Sequence, residues 1–427
     1  MTSDPASKPK EAFVWVWLPR ATEPVVAGRI AVDGAIHVYN YGRSYLDRKD
    51  AIAIYSPELP LRRGAIVPKA PLTMAGCLRD GAPDAWGRRV IINRLTGLKG
   101  DAARDVEFDE LTFLLNSGSD RAGALDFQVA ADRYEPREQR SATLEELLDA
   151  AGRVERGEPI PQALSNALFH GSSIGGARPK ALIATADRKF IAKFSATNDT
   201  YAVVKAEFIA MRLAARVGLD VAPVELTSAS GKDVLLVERF DRVQETKGWS
   251  RRAMVSALTM LGLDELQVRH ASYSDLTDII RARFTRPQET LRELFARLVF
   301  NVLTGNTDDH ARNHAAFWDG DALTLTPAYD ICPQARGGRE VNQAMLIVGD
   351  DKRSLLETCR TAAHRFLLDD TEARAIIDGQ IETIRNSWND VCDEAQLSAV
   401  DRALLWRRQF LNDYAFEGFD GGERADI

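Results

Sequence analysis

The sequence predicts an α+β protein, with an N-terminal α/β subdomain and a mainly helical C-terminal region. Short apolar runs such as residues 13–18 have the length of buried strands and concentrate in the first half of the chain. In the middle, a small-residue loop is followed by a hairpin, a long amphipathic helix and a second hairpin. Helical patterns dominate from about residue 250. We therefore divide the chain into residues 1–140, 141–242 and 243–427.

Hydrophobic periodicity gives the individual elements of the N-terminal part. The predicted strands are residues 13–18, 28–39, 51–55 and 125–129. The predicted helices are residues 84–98, 109–115 and 141–156. A Thr-x-x-Glu sequence at the start of the third helix is typical of a capping box, in which side chains satisfy the first free backbone N–H groups.

The rest of the chain alternates hairpins with helices. The middle region has two predicted strands at residues 181–186 and 190–194, followed by one long helix at residues 201–217. Two further strands are predicted at residues 221–226 and 234–238. In the C-terminal region we expect an apolar helix over residues 291–303 and a hairpin-like stretch over residues 315–325.

Composition excludes several classes of protein. The chain has 427 residues, 45% hydrophobic and 27% charged, which is ordinary for two to three soluble globular units. A net charge of −7 gives no global reason to expect nucleic-acid binding. We find no apolar run of membrane-spanning length and no apolar signal core, so we expect a cytoplasmic protein without a membrane partner. Four scattered cysteines argue against a disulfide framework or a zinc cluster: Cys77, Cys332, Cys359 and Cys392.

The first candidate for chemistry is the small-residue loop over residues 171–180, GSSIGGARPK. Small residues let backbone N–H groups approach a phosphate closely. The loop is neither a Walker loop nor a G-x-G-x-x-G loop, so an ordinary surface turn remains the alternative. Its candidate nucleotide contacts are Ser172, Ser173, Gly175, Gly176 and Lys180.

A second candidate is Lys193, which sits inside an apolar strand. A lysine there must reach water or pair, because burying a bare ammonium is costly. Glu207 on the following helix is its natural partner, and the arrangement is similar to the strand lysine and helix glutamate of protein kinases. The alternative is a solvent-exposed lysine on an edge strand.

The densest cluster of polar residues follows the helix over residues 291–303. Asp308 and Asn313 have the spacing of a carboxylate that accepts a hydroxyl proton and an amide that binds Mg²⁺. His310 lies between them and could contact a γ-phosphate. Asp330, after the next predicted strand, could hold the same metal. A polar capping loop explains one or two of these residues but not the whole cluster.

At these residues the sequence resembles the HipA family, which comprises serine/threonine protein kinase toxins of type II toxin–antitoxin systems. The resemblance covers about residues 14–410. Five segments carry it: GAPDAWGRRVI (81–91), GSSIGGARPKA (171–181), VERFDR (237–242), GNTDDHARNHA (305–315) and LTPAYDICP (325–333). It implies a protein-kinase-like bilobal fold behind the N-terminal subdomain, with ATP and Mg²⁺ as cofactors.

The resemblance also implies roles at individual positions. Asp308 would orient and deprotonate the acceptor hydroxyl, and Asn313 and Asp330 would hold Mg²⁺. Lys193 would contact the α- and β-phosphates, and Lys180 and His310 would lie near the phosphates too.

Further roles follow for the hinge and the small-residue loop. Glu238 and Phe240 would lie against adenine at the hinge between the lobes. Ser173, or its neighbour Ser172, would be the autophosphorylated residue, and Glu207 would form a structural ion pair.

The implied partners are a HipB-type helix-turn-helix antitoxin and a protein substrate. The expected substrate is a translation component such as an aminoacyl-tRNA synthetase. DNA would be contacted only through the antitoxin. Two alternatives remain open: a kinase of a small molecule or lipid, and a catalytically silent nucleotide- or antitoxin-binding module. The D-x-H-x-x-N order is also similar to that of phosphoinositide kinases, so this loop alone does not choose the substrate.

Overall fold

The computed structural model describes residues 9–96, 108–137, 142–156, 158, 178–196 and 199–419. Its first sheet is antiparallel with the strand order β3-β2-β1-β4, and the strands are β1 (Glu11–Val16), β2 (Val25–Asp33), β3 (Ile36–Tyr41) and β4 (Leu125–Gln128). The helices of this subdomain are α1 (Arg43–Leu46), α2 (Gly76–Arg79), α3 (Ala85–Thr96) and α4 (Glu110–Leu115). The predicted strands at 13–18 and 125–129 and the predicted helices at 84–98 and 109–115 are confirmed within a few residues.

Two strand predictions in this subdomain are wrong. Residues 28–39 are not one strand, because Gly34 takes a positive φ of 60° and turns the chain from β2 into β3. Residues 51–55 form no strand. Tyrosine hydroxyls satisfy their backbone instead, since the Ile54 N–H donates to Tyr41 at 2.9 Å and Tyr45 donates to the Ile52 carbonyl at 2.8 Å.

The second sheet is antiparallel and forms the smaller lobe. Its strand order is β5-β6-β8-β7, and the strands are β5 (Lys180–Ala184), β6 (Lys189–Phe194), β7 (Val224–Ala229) and β8 (Lys232–Glu238). The predicted hairpins and the helix between them are confirmed, and that helix is α6 (Val203–Arg216).

Both faces of this sheet are covered, because residues alternate along each strand. Leu235 and Val237 of β8 pack with Val204 and Phe208 of α6. The other face packs against α3 and α5 (Leu144–Arg156) through a small core of Trp86, Leu147, Phe194 and Val234. The predicted capping box of α5 is present, since the Glu146 N–H donates to Thr143 at 3.2 Å and the Thr143 N–H donates to Glu146 at 2.9 Å. Helix α3 of the N-terminal subdomain therefore supports the smaller lobe directly.

The larger lobe is mainly helical and surrounds one buried helix, α9 (Pro287–Thr304). This helix begins four residues before the predicted start because Pro287 suits the first helical position, where no backbone N–H is needed. It ends at Gly305, whose φ of 67° closes the last turn. The other helices of this lobe are α7 (Ala257–Met260), α8 (Tyr273–Arg283), α10 (Leu356–Ala362), α11 (Asp370–Glu394) and α12 (Ala399–Leu405).

Short strands connect the lobes. A two-stranded ribbon of β9 (Arg242–Glu245) and β10 (Gly248–Arg251) follows the hinge, and a three-stranded sheet consists of β11 (Met254–Ser256), β12 (Ala315–Trp318) and β13 (Leu323–Leu325). The last two strands confirm the predicted hairpin at 315–325. Among the described residues, no helix has both the length and the apolar character needed to span a bilayer.

Candidate active site

Lys193 lies at the centre of a buried charge cluster between the two lobes. Strand β6 presents its ammonium to Glu207 on α6, and the same Nζ also contacts Oδ1 of Asp330 in the larger lobe. Only 12% of the Lys193 side chain and 3% of the Glu207 side chain are exposed. The structure therefore brings together three of the residues that the sequence singled out, although 137 positions separate the lysine from Asp330.

The two carboxylates of this cluster differ in acidity. Burial raises the pKa of Glu207, and Lys193 only partly opposes that effect. Burial acts in the same direction on Asp330, but Lys193 and Lys180 outweigh it and lower its pKa to about 2. Asp330 is consequently an anion at neutral pH, and 37% of its side chain is exposed.

The buried side chain of Asp309 holds the loop after α9 in place. Its carboxylate lies 2.8 Å from Nε2 of His314 and accepts a hydrogen bond from the Tyr273 hydroxyl. All three groups are buried. Asp309 therefore anchors the loop, and the side chain of its neighbour Asp308 is exposed at the surface of the cleft. Sequence reasoning missed this anchor, because two adjacent aspartates do not reveal which of them points inward.

Asp308 and Asn313 are joined through the backbone of the loop. The Asn313 side-chain amide donates to the Asp308 carbonyl at 3.1 Å, and the His310 N–H donates to the same oxygen at 2.9 Å. Partial burial raises the pKa of Asp308; His310 opposes this effect, while Asp330 and Asp309 add to it. A carboxylate with a raised pKa is better matched to accepting a proton near neutral pH.

Lys180 extends the positive charge along the edge of the smaller lobe. It is directly opposite Lys193 in the ladder between β5 and β6, and it is buried. Its Nζ lies 3.6 Å from Oδ2 of Asp84, which belongs to the N-terminal subdomain. Burial lowers the pKa of Lys180 and raises that of Asp84. Asp84 was not predicted as a site residue, because its position before α3 already fits helix capping, as its bond from the Gly87 N–H shows.

The predicted hinge residues occupy two different places. Phe240 packs its ring against Tyr329 and Phe317, with centroids 5.6 and 5.9 Å away, so it lies beside the segment that carries Asp330. Glu238 is directly opposite Phe190 in the sheet, and its carboxylate points towards Arg188 at 3.8 Å. The structure therefore does not bring the Glu238 side chain to the Lys193 cluster. Ser172, Ser173, Gly175 and Gly176 lie outside the described residues.

The oxygen donors at the cleft fit a magnesium ion. Mg²⁺ prefers oxygen ligands and is commonly held by one or two protein groups together with waters and substrate phosphates. Asn313 supplies an amide oxygen, and Asp330 supplies a carboxylate that is ionised at neutral pH. Within the described ranges no group of three or more His, Cys, Asp or Glu side chains forms a self-sufficient metal site.

Two family models match the chain. The model described as the HipA N-terminal domain covers residues 19–128, and the HipA-like C-terminal domain covers residues 172–388. The chain is also 34% identical over 147 residues to a protein of Sinorhizobium fredii named "Putative kinase Y4mE", a match covering 33% of each chain. It is 27% identical over 183 residues to the serine/threonine-protein kinase toxin HipA of Shewanella oneidensis, which covers 37% of this chain and 42% of that protein. The chain thus spans 33% and 42% of the length of these two curated relatives.

A solved structure shares the fold over almost the whole chain. It is HipA of Shewanella oneidensis MR-1 in a complex with HipB and operator DNA, and it covers 92% of this chain and 97% of that chain. The TM-score is 0.66 at 19% sequence identity. This similarity confirms the predicted combination of an N-terminal subdomain with a bilobal, kinase-like unit.

Proposed function

Since the chain belongs to the HipA family, we propose that it is an ATP-dependent serine/threonine protein kinase that acts as the toxin of a type II toxin–antitoxin system. The observation that carries the proposal is the Lys193 cluster, in which one strand lysine contacts both Glu207 and Asp330. A lysine oriented by a helix glutamate next to a metal-binding aspartate is the arrangement that protein kinases use to bind nucleotide phosphates.

The nucleotide would lie in the cleft between the lobes. Lys193 would contact the α- and β-phosphates, and its contact with Glu207 keeps the ammonium oriented towards them. Lys180 adds a second positive charge directly opposite Lys193 in the sheet. His310, on the loop after α9, would lie near the phosphates too. The backbone of residues 238–240 would bind the adenine edge, beside the ring of Phe240.

Asn313 and Asp330 would hold Mg²⁺, which when bound neutralises the negative charge of the β- and γ-phosphates. The low pKa of Asp330, about 2, keeps its carboxylate ionised over the whole physiological range. The ammonium of Lys193 contacts the same carboxylate and fixes the position of Asp330 relative to the smaller lobe. Positioning and charge neutralisation would then supply most of the catalysis, as expected for phosphoryl transfer.

Asp308 would act on the acceptor. Its carboxylate is exposed to the cleft, while the anchor at Asp309 keeps the loop in place. The serine or threonine oxygen of the acceptor forms a bond to the γ-phosphorus, the bond from that phosphorus to the bridging oxygen of ADP breaks, and the hydroxyl proton passes to Asp308. A positioned carboxylate of this kind contributes about 10²–10⁴ to the rate.

The proposal extends to self-modification and to partners. Ser173, or the adjacent Ser172, would be autophosphorylated, and a dianion next to the phosphate site would repel ATP and silence the enzyme. The HipB antitoxin in the structurally similar Shewanella complex supports a HipB-type partner here. DNA would be bound through that partner, since this chain has a net charge of −7. The protein substrate would be a translation component such as an aminoacyl-tRNA synthetase.

Mass spectrometry tests the activity directly. Purified protein, dephosphorylated beforehand, is incubated with Mg-ATP, and its intact mass and peptides are measured. We expect a gain of about one phosphate on Ser172 or Ser173 in the wild type and none in Asp308→Ala. Asp378→Ala is the matched control, because Asp378 is an exposed aspartate on α11 away from the cleft.

The alternatives give different results. Wild-type protein that binds ATP but gains no phosphate, even with a panel of protein, lipid and small-molecule acceptors, would contradict kinase activity. Equal phosphorylation of wild type and Asp308→Ala would refute the role of Asp308.

A further inference from the structure

The hinge segment carries charged residues that are almost completely buried. Of the side chains, 1% of Arg239, 7% of Asp241 and 1% of Arg242 are exposed. Charged groups at this depth are stable only when they are paired and hydrogen-bonded. Their partners therefore show what holds the hinge in place.

The main partner is Asp120, which belongs to the N-terminal subdomain. Its Oδ1 lies 3.0 Å from Nη1 of Arg239 and 2.8 Å from Nη2 of Arg242. Its Oδ2 lies 3.3 Å from Nζ of Lys189, at the start of β6. One carboxylate thus connects the N-terminal subdomain with Arg239 and Arg242 of the hinge and with the start of β6.

Hydrogen bonds between side chains and backbone groups stabilise the same contact. Arg239 donates to the Arg121 carbonyl at 2.7 Å, and Arg242 donates to the Gly123 carbonyl at 2.9 Å. In return, the Gly123 N–H donates to Asp241 at 2.8 Å. We call residues 117–123 the hinge clamp, because this loop contacts the hinge through both side chains and backbone.

The hinge clamp is itself rigidly attached to its own subdomain. The guanidinium of Arg121 is fully buried, and its Nε donates to Asp126 on β4 at 2.9 Å. Its Nη1 donates to the Gly81 carbonyl at 2.7 Å. The hinge is therefore connected to the sheet of the N-terminal subdomain through buried hydrogen bonds.

We propose that Asp120 is a positioning residue for nucleotide binding, and that the N-terminal subdomain fixes the backbone of residues 238–240 through the hinge clamp. The inference rests on the proposed function, because it assumes that this backbone binds adenine. Adenine recognition by backbone groups needs those groups in one fixed orientation, so a mobile hinge would bind it weakly.

Electrostatics explains why Asp120 matters more than its neighbours. Burial alone would raise the pKa of Asp120, but Arg239 and Arg242 outweigh burial and hold it well below the usual range. Asp120 is therefore an anion at neutral pH and separates two buried guanidinium groups. Without the charge of Asp120, Asp241 would be the one described carboxylate that contacts both Arg239 and Arg242. Repulsion between the two guanidinium groups would then loosen the hinge.

The test substitutes Asp120→Asn in the full chain, which keeps the side-chain volume and removes the charge. We expect Mg-ATP to bind about tenfold more weakly in calorimetry, with KM for ATP rising in parallel and kcat within about twofold. Inorganic tripolyphosphate should bind as in the wild type, because its contacts are at Lys193 and Lys180 and not at the hinge. Hydrogen exchange at residues 237–242 should become faster.

Glu110→Gln is the matched control. Glu110 forms a two-oxygen ion pair with Arg88 in the same subdomain, its side chain is 28% exposed against 24% for Asp120, and it does not contact the hinge. It should change neither ATP affinity nor exchange at the hinge. If Asp120→Asn fails to fold, Arg242→Lys removes the forked contact while keeping the charge, and the same measurements apply.

The outcomes separate the two proposals. If the wild type binds no ATP, the proposed function fails. If the wild type binds ATP but the hinge variant binds it equally well with unchanged exchange, the hinge clamp is wrong while the kinase proposal stands. Equal loss of ATP and tripolyphosphate affinity would also overturn the clamp, because it would indicate general damage to the cleft.

Discussion

The substitution Lys193→Met removes the cation that lies between the carboxylates of Glu207 and Asp330. Glu207 is 3% exposed and loses its contact with the ammonium, whereas Asp330 is 37% exposed and can be hydrated instead. Removing one partner of a buried ion pair costs about 3–5 kcal/mol, so we expect a loss of about 3 kcal/mol at pH 7, nearly all of it from Glu207. If all 427 residues unfold together, an unfolding entropy of about 2.1 cal/mol/K per residue converts this loss into roughly 3 °C.

The loss should depend on pH with a defined sign. Burial raises the pKa of Glu207 even when Lys193 is present, and removal of the lysine raises it further. The folded state then holds a proton that the unfolded state releases near pH 4.3, as an ordinary glutamate does. Stability must therefore fall as pH rises, by at most about 1.4 kcal/mol per pH unit for one proton. The variant should be close to the wild type near pH 5 and fall furthest behind it near pH 8.

Urea unfolding followed by circular dichroism between pH 5 and 8 measures this difference. Adding Glu207→Gln to Lys193→Met should restore most of the stability, because the buried unpaired carboxylate is then gone and the remaining anion, Asp330, is 37% exposed and can be hydrated. Lys205→Met is the matched control. Lys205 lies on α6, where its Nζ donates to the Gln396 carbonyl at 2.9 Å and lies 3.7 Å from Asp233. Because Asp233 is 40% exposed, removal of Lys205 leaves no buried unpaired carboxylate and should cost less than about 1 kcal/mol. A pH-independent loss in Lys193→Met, or an equal loss in the control, would refute the reasoning.

Three further predictions concern the loop after α9. Asp309→Asn should cost about 3 kcal/mol, because it breaks the buried pair with His314; a loss below about 1 kcal/mol in urea unfolding would contradict the anchoring role. Gly305→Ala should lower the melting temperature more than Gly231→Ala. Both glycines have a positive φ, 67° at Gly305 and 74° at Gly231. A Cβ at position 305 would lie 2.8 Å from the Gln409 carbonyl oxygen, whereas a Cβ at position 231 would meet no atom within 4 Å. Equal shifts would show that backbone strain alone decides. The acid limb of kcat/KM should lie above about pH 4, because the pKa of Asp308 is raised, mainly by burial; a lower limb would exclude it as the base.

Local patterns predicted most of the elements correctly. The capping box of α5 and the hairpins of the smaller lobe depend on neighbours close in sequence, so their signals are complete in short windows. The failures at residues 28–39 and 51–55 arose where one glycine and several tyrosine hydroxyls decided the backbone path. Apolar periodicity does not report either effect.

The sequence by itself determined which chemical groups the cleft contains and in what order they occur. A lysine within an apolar strand must find an anion, and a dense series of Asp, His and Asn after an apolar helix exceeds what capping requires. These constraints are local, because they follow from the cost of burying each group. Together with the order in which protein kinases carry such groups, they placed Lys193, Glu207, Asp308 and Asp330 in one hypothesis.

Only the tertiary structure decided which charged groups contact one another. It turned Asp309 inward to His314 and left Asp308 facing the cleft, and it joined Asp120 to a hinge more than a hundred residues away. Buried charges are stabilised by whichever partners the fold brings within a few ångströms. Sequence spacing carries no information about that distance, since folding alone brings such remote segments into contact.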